Sequence, residues 1–192
     1  MLIANFERHF NARQFFPSFT IKYLDYSKPN SCSEHIKLQL KDQDVIVIAG
    51  IKSCQHIFGS ESYDNSSAID MYERYLFDWA LELKIPLIGI NRGFGIIGDR
   101  LGFDFRSVEN GENHLNTYKN TVYAVNSHHL YSIRRSSTYT ADVQDINGNY
   151  ESLFVLKTKI FTVTWNPEMD DCPESGKDLF DILFKKYLGM ER

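Results

Sequence analysis

The sequence predicts an α/β fold with a mostly parallel central sheet, helices on both faces and a smaller antiparallel section after residue 103. Three observations predict it. The run 45–49 is continuously apolar and β-branched, as in a strand buried on both faces of a parallel sheet. Helical spacing of apolar residues over 67–83, followed by an apolar run at 87–90, completes a strand–helix–strand unit. Later segments alternate like short antiparallel strands.

Composition favours one globular domain spanning 1–192. The chain is 43% hydrophobic with a net charge of −4, and it lacks a Lys/Arg block, so we expect no nucleic-acid partner. No apolar run reaches membrane-spanning length and the start lacks a secretory-signal pattern, so we expect no membrane association. The cysteines Cys32, Cys54 and Cys172 form neither a metal spacing nor an even disulfide set, which predicts a reduced, cytoplasmic protein without a metal or cofactor.

The N-terminal part mixes strand and helix signals. Residues 1–6 fit either a strand or the start of a helix that runs to Phe16, and both remain open. Residues 19–24 alternate as a strand does. Ser33 is the expected cap of a short helix that ends near Leu40.

The middle of the chain predicts a sharp turn from a strand into a helix, which we call the elbow. Ser67 and Asp70 form a capping-box-like start for a helix that extends to Leu83. Pro86 separates this helix from an apolar strand that ends at Asn91, where small residues and a short helical pattern follow. Such an elbow holds its apex residue over a helix N-terminus, where backbone N–H groups favour negative charge.

The C-terminal half predicts short strands and a closing helix. The expected strands are 121–125, 138–143, 152–156 and 160–164. Asn147-Gly148 is a strong hairpin-turn signal. The segment 145–149 faintly suggests calcium ligands, but we interpret it as a turn. Ser175 is the expected cap of the last helix, which stops at Gly189.

Five motifs occur in a defined order within residues 44–188. They are the segments 50–59, 70–73, 89–95, 125–130 and 163–168. Together they resemble the oxyanion loop, acidic–aromatic helix start, nucleophile elbow, histidine segment and Trp-x-Pro-Glu segment of class I glutamine amidotransferases, most closely their γ-glutamyl hydrolase-like branch. The resemblance implies a flavodoxin-like three-layer sandwich and a Cys-His-Glu triad that hydrolyses an amide.

The resemblance also identifies departures at the catalytic positions. Asn91 stands at the nucleophile position and Asn166 at the base position, so only the orienting carboxylate, Glu168, is retained. Loss of a nucleophile alone costs a triad hydrolase a factor on the order of 10⁶ in kcat. The remaining pocket and oxyanion positions are Gly50, Ile51, Arg92, Gly93, Asn126, Ser127, His128 and His129. Three further family positions are changed, namely those of Ile51, Gly95 and Leu130.

Several of these residues have two interpretations. Asn91 is either a ligand-binding amide or a residue tolerated at a strained turn. Arg92 either binds a substrate carboxylate or fixes the elbow through local hydrogen bonds. Gly93 is interpreted as steric, allowing helix and strand to approach. His128 and His129 suggest metal ligands, but no third ligand lies at a sensible spacing, which favours a packing role.

The sequence leaves three functional hypotheses. The leading one is an amidotransferase-like protein without catalysis, which binds a small γ-glutamyl or amino-acid-like ligand or regulates another protein. The alternative is an active γ-glutamyl amide hydrolase or amidotransferase that uses relocated groups, with Cys54 and either His56 or His128 as candidates. The third is a regulatory subunit of a synthetase-like protein.

Overall fold

The computed structural model describes residues 1–5, 11–26, 32–50, 66–108, 113–129, 131–133 and 141–189. Its strands are β1 (Leu2–Ala4), β2 (Lys22–Tyr23), β3 (Ile46–Ile48), β4 (Leu87–Ile90), β5 (Phe105–Ser107), β6 (His114–Tyr118), β7 (Thr121–Val125), β8 (Tyr131–Ile133), β9 (Gln144–Asp145), β10 (Ser152–Val155) and β11 (Ile160–Val163). Its α-helices are α1 (Ala12–Phe15), α2 (Cys32–Leu40), α3 (Ser66–Leu83), α4 (Arg92–Arg100) and α5 (Glu174–Leu188). None of these helices is long and apolar enough to cross a membrane.

The predicted central sheet is confirmed. Its strand order is β10-β11-β4-β3-β1-β2, and all neighbouring pairs are parallel except the edge pair β10–β11. In the middle of the sheet, Ile88 of β4 lies opposite both Val47 and Phe161. The end of β4 therefore reaches the centre of the sheet edge where the carboxyl ends of parallel strands meet.

Helices cover both faces of the sheet, as the sequence predicts. One core cluster joins alternate strand residues to aromatic side chains of α1 and α5, including Phe15, Phe180 and Phe184. The other joins the opposite strand face to apolar residues of α2, α3 and α4, including Leu40 and Leu76. Because both faces are buried, β3 and β4 consist of apolar residues and one glycine instead of alternating with polar ones.

The antiparallel section after residue 103 is also confirmed. It contains the pair β5–β8 and the three-stranded sheet β7-β6-β9. The predicted strand 138–143 is partly wrong: 138–140 lie outside the described residues, and 141–143 are not in a strand. The predicted turn is present, with Gly148 at a φ of 76°. The turn joins a short antiparallel pairing, with Gln144 and Tyr150 in an isolated bridge, whereas the longer ladders of β9 and β10 are formed with β6 and β11.

Three predicted helix caps are wrong. Ser33 and Ser67 lie one residue inside α2 and α3. Ser175 lies inside α5, whose N-cap is Pro173, and its hydroxyl bonds the backbone of Ala124 instead. At Ser175 a tertiary partner therefore overrides the local signal, whereas the left-handed stop at Gly189 is confirmed with a φ of 67°.

The start of the chain resolves the open choice in favour of a strand. β1 occupies Leu2–Ala4, and only four residues, Ala12–Phe15, form the helix that follows. The predicted strand at 19–24 shortens to Lys22–Tyr23, because this segment pairs with β1 alone at the edge of the sheet.

Candidate functional site

The elbow lies between β4 and α4, with Asn91 at its apex. This residue has a φ of 46° and a ψ of −95°, a region that non-glycine residues rarely occupy. Its N–H donates to Val163 O at 2.9 Å, and its carbonyl accepts the Tyr131 hydroxyl at 3.1 Å. These bonds hold the backbone in the strained conformation, as in other elbow turns.

Glycine permits the close approach of α4 to the sheet. A Cβ atom on Gly93 would lie 2.0 Å from the carbonyl oxygen of Ile48. A Cβ atom on Gly89 would lie 2.8 Å from the backbone of Gly93. The steric interpretation of Gly93 therefore agrees with the structure.

The three triad positions form one chain of hydrogen bonds. Asn91 Nδ2 donates to Asn166 Oδ1 at 2.6 Å, and Asn166 Nδ2 donates to Glu168 Oε1 at 2.8 Å. Asn91 and Asn166 are buried, and Glu168 is partly buried. The side chains therefore have the connectivity of a nucleophile, a base and an orienting carboxylate, with an amide at each of the first two places.

Glu168, at the end of this series of hydrogen bonds, has few partners that would stabilise its negative charge. Burial raises the pKa of Glu168 to about 7, although the hydrogen bond from Asn166 opposes the shift. Its Oε2 atom is inaccessible to solvent and has no hydrogen-bond partner among the described residues. In this arrangement the carboxylate accepts from a neutral amide, so it has no imidazole to orient.

Arg92 is held inside the protein by two acidic side chains of α3. Its Nε donates to Glu73 Oε2 at 2.8 Å, and its Nη2 donates to Asp70 Oδ1. All three side chains are buried. Burial raises the pKa of Glu73 to about 7, although Arg92 opposes the shift. Of the two interpretations of Arg92, the structure supports the one that fixes the elbow, by tying α4 to α3.

The backbone N–H of Arg92 is also occupied. It donates to Gly50 O at 3.1 Å, next to the start of the predicted oxyanion loop. In elbow enzymes the N–H of the residue after the nucleophile is an oxyanion donor. In this structure that donor is bonded to a carbonyl of the chain itself.

Asn126 links the histidine segment to the triad positions. Its Oδ1 accepts the N–H of Asn166 at 3.0 Å, and its Nδ2 donates to Asn166 O at 3.1 Å and to Asp171 Oδ1 at 2.8 Å. His128 Nε2 lies 2.6 Å from Asp171 Oδ2. The neighbouring Ser127 is buried. Asn126 therefore fixes the position of Asn166, and His128 is paired with a carboxylate.

Four predicted residues lie outside the part of the chain that the structure describes. They are Ile51, Cys54, His56 and Leu130. The proposed Cys54–His56 pair and the pocket positions assigned to Ile51 and Leu130 therefore stay predictions.

The sequence interpretation missed a cluster around His129. A donor atom of His129 lies within 4.8 Å of donor atoms from both His114 and Glu151. The structure therefore brings two possible ligands beside His129 from sequence positions 15 and 22 residues away, whereas the packing role expected for His129 stays a prediction. No short sequence motif carries such a spacing.

One relative identified by sequence is the small chain of a synthase, and no family model matches the chain. The carbamoyl phosphate synthase small chain of Pyrobaculum aerophilum is 25% identical over 140 residues, which cover 69% of this chain. The chain spans about 40% of the length of that relative.

Three solved structures share the architecture. A GMP synthase-type protein from Thermoplasma acidophilum matches with a TM-score of 0.68 and 12% identity, over 98% of this chain and 92% of that one. A glutamine amidotransferase from Thermotoga maritima has a TM-score of 0.63 and 14% identity, over 98% and 83%. A glutamine amidotransferase from Methylobacillus flagellatus has a TM-score of 0.57 and 11% identity, over 88% and 70%.

These matches confirm the superfamily resemblance of the motifs at the level of the fold. The γ-glutamyl hydrolase-like branch and the loss of the triad remain predictions. The chain has the flavodoxin-like α/β fold of class I glutamine amidotransferase-like proteins.

Proposed function

We propose that this protein is an amidotransferase-like protein that no longer hydrolyses amides and instead binds or regulates. The observation that carries the proposal is the hydrogen-bond chain Asn91–Asn166–Glu168. A carboxamide is neither a nucleophile for a carbonyl carbon nor a base at neutral pH, so neither Asn91 nor Asn166 can begin a covalent attack. Each amide is instead bonded to its neighbour.

The backbone around the apex supports the same proposal. Stabilisation of an oxyanion needs preorganised N–H donors that are free to bind the developing charge. The Arg92 N–H donates to Gly50 O, and the Arg92 side chain is bonded to Asp70 and Glu73. Neither the first N–H of α4 nor the guanidinium is therefore available to a substrate in this conformation.

We further propose that the protein acts on a synthetase-like partner or holds a small γ-glutamyl ligand. The relative from Pyrobaculum aerophilum is by name the small chain of a synthase, which supports a role as one chain of a larger assembly. Since Asn91 and Asn166 are buried and bonded to each other, we favour a role in which the outer surface contacts a partner.

The test combines turnover with covalent trapping. Wild-type protein and Cys54→Ala are assayed for release of ammonia from L-glutamine and of glutamate from a γ-glutamyl dipeptide. Both are then incubated with 6-diazo-5-oxo-L-norleucine and measured by intact mass spectrometry. We expect neither turnover nor an adduct with either protein. Turnover or an adduct that disappears in Cys54→Ala would overturn the proposal and establish relocated catalysis.

The two binding roles are separated by a second measurement. Titration calorimetry with L-glutamine and the dipeptide tests the small-ligand role. Cross-linking in extract from the source organism, followed by mass spectrometry, tests the partner role. A cross-linked synthetase polypeptide without small-ligand binding is the result expected for a regulatory subunit.

A further inference from the structure

Three side chains from distant parts of the sequence converge in the antiparallel section. His114 begins β6, His129 follows β7, and Glu151 immediately precedes β10. His114 Nε2 lies 3.3 Å from Glu151 Oε2, and His129 Nε2 lies 3.7 Å from the same oxygen. One donor atom from each residue falls within 4.8 Å of the other two. We call these residues the histidine cluster.

The spacing of the donor atoms suits a small cation. Zn²⁺ binds imidazole nitrogen and carboxylate oxygen at about 2.0–2.2 Å in a tetrahedral arrangement, so neighbouring donors lie about 3.3–3.5 Å apart. The nitrogen–oxygen separations of 3.3 Å and 3.7 Å in the cluster are close to this value. The two imidazole rings meet at 82°, with centroids 5.4 Å apart, so they face the carboxylate from different directions.

The cluster is held by the surrounding structure. The Thr164 hydroxyl donates to Glu151 Oε2, and the backbone N–H of Thr164 donates to Glu151 O at 3.0 Å. The backbone N–H of Glu151 donates to Val143 O at 3.0 Å. Such bonds to a ligating carboxylate orient it and are a regular part of metal sites.

Hydrogen bonds within the described residues do not satisfy every polar side-chain atom of the histidine cluster. Glu151 and His129 are 1% and 3% exposed. The Nδ1 atom of His129 has no hydrogen-bond partner within the described residues. Glu151 Oε2 thus lies beside two imidazoles but within hydrogen-bond distance of His114 only, and His129 Nδ1 has no hydrogen-bond partner among the described residues.

We propose that His114, His129 and Glu151 form a binding site for one divalent transition-metal ion of the Zn²⁺ type. Two imidazoles and one carboxylate suit such ions better than Mg²⁺ or Ca²⁺, which prefer all-oxygen ligands. Three protein ligands leave a fourth coordination position, as in sites where water or a substrate binds the metal. His114, with 23% of its side chain exposed, lies on the solvent side of the cluster.

The first experiment measures binding of Zn²⁺ alone to metal-free protein by titration calorimetry. We expect one equivalent to bind the wild type, and binding at least tenfold weaker in His129→Ala and in Glu151→Gln. Thr164→Val, which removes only the hydroxyl that orients Glu151, should weaken binding by a factor on the order of 10–100. His35→Ala is the matched control, because His35 of α2 pairs with Asp25 and is not part of the cluster.

The second experiment tests whether a cysteine is a metal ligand. It also uses Tm to distinguish a variant that has lost metal binding from one that has failed to fold. Co²⁺ loaded into the wild type should give visible d–d absorption without a thiolate charge-transfer band. An ion that binds only the folded state raises Tm. Zn²⁺ should therefore raise the Tm of wild type and of His35→Ala but not that of His114→Ala. His114 is chosen because its side chain is partly exposed, so its removal should disturb folding least. Failure of the wild type to bind a stoichiometric ion, or equal binding by the cluster variants, would overturn the proposal.

Discussion

The side chains of Asn91 and Asn166, 75 residues apart in sequence, are joined by a buried hydrogen bond of 2.6 Å. Asn91 directly follows β4, one of the two middle strands of the central sheet, and Asn166 follows the adjacent parallel strand β11. The bond therefore ties two neighbouring strand ends together at the point where the fold presents its apex residue. The resemblance predicts that these two places carry the chemistry in a hydrolase of this fold, and in this structure their side chains are bonded to each other.

Replacing Asn166, the partner of Asn91 in this hydrogen bond, should lower the free energy of unfolding. Asn166→Ala leaves the Asn91 amide and the Glu168 carboxylate without their partner, and each unsatisfied buried group costs about 1–3 kcal/mol. We expect the free energy of unfolding to fall by about 2–4 kcal/mol in urea denaturation. A double-mutant cycle with Asn91→Ala should give a coupling energy of about 1 kcal/mol.

The control for this cycle is Asn147→Ala, since Asn147 is an exposed asparagine in a turn. Its effect should stay within about 0.5 kcal/mol. Additive effects of Asn91→Ala and Asn166→Ala would show that the hydrogen bond between these two side chains does not stabilise the folded protein.

Gly93→Ala should be severely destabilising for a steric reason. The added Cβ would lie 2.0 Å from Ile48 O, and the elbow leaves neither backbone free to move. We expect a loss of about 3 kcal/mol or more in the free energy of unfolding, although alanine is the better helix former by about 1 kcal/mol. Gly102→Ala is the control, because Gly102 has open space around it and only its φ of 72° opposes a side chain. It should cost about 1 kcal/mol, and a similar cost at both positions would contradict the steric account.

Arg92→Met should destabilise far more than the same change elsewhere on α4. It leaves Asp70 and Glu73 as buried acidic groups without their cation, which costs about 3–5 kcal/mol. The control is Arg100→Met, since Arg100 pairs with Asp78 at the surface and such pairs contribute about 0–1 kcal/mol. Equal effects of the two substitutions in chemical denaturation would show that the buried network is not stabilising.

Stability should fall as pH rises from about 4.5 towards 7. The folded-state pKa of Glu168 is raised from 4.5 to about 7, so the folded protein binds more protons than the unfolded chain in this interval. The stabilising contribution is complete below the unfolded pKa and is lost as pH passes through the folded one. Glu168→Gln should flatten the pH dependence of the free energy of unfolding. The remaining dependence includes the contribution of Glu73, whose pKa is raised in the same direction, and that of His129, whose lowered pKa acts in the opposite direction. An unchanged slope in Glu168→Gln would contradict this assignment.

Local patterns predict the elements that apolar periodicity determines. The buried strands β3 and β4, the elbow at Asn91 and the glycine stop of α5 follow from runs, spacing and turn chemistry. The resemblance predicts that Asn91, Asn166 and Glu168 meet, and the structure brings them together. That these positions no longer support catalysis stays a prediction, which the turnover and trapping assays test.

Contacts between distant segments explain what sequence patterns miss. Asp70 looks like part of a capping box, but its carboxylate is bonded to Arg92, because the packing of α3 on α4 brings the charges together. Ser175 looks like a cap but bonds the end of β7. The partners of His129 come from two other strand ends, so their proximity depends on the whole antiparallel section.

Thr164 and Asn166 belong to one short stretch of backbone after β11. The former orients Glu151 in the histidine cluster, and the latter bonds Asn91 at the elbow. The histidine cluster and the elbow are therefore connected through the same stretch of backbone, and a displacement of this stretch should alter the hydrogen bonds of both. If Zn²⁺ binds the histidine cluster, the NMR chemical shifts of the side-chain amides of Asn91 and Asn166 should therefore change, although neither residue belongs to that cluster.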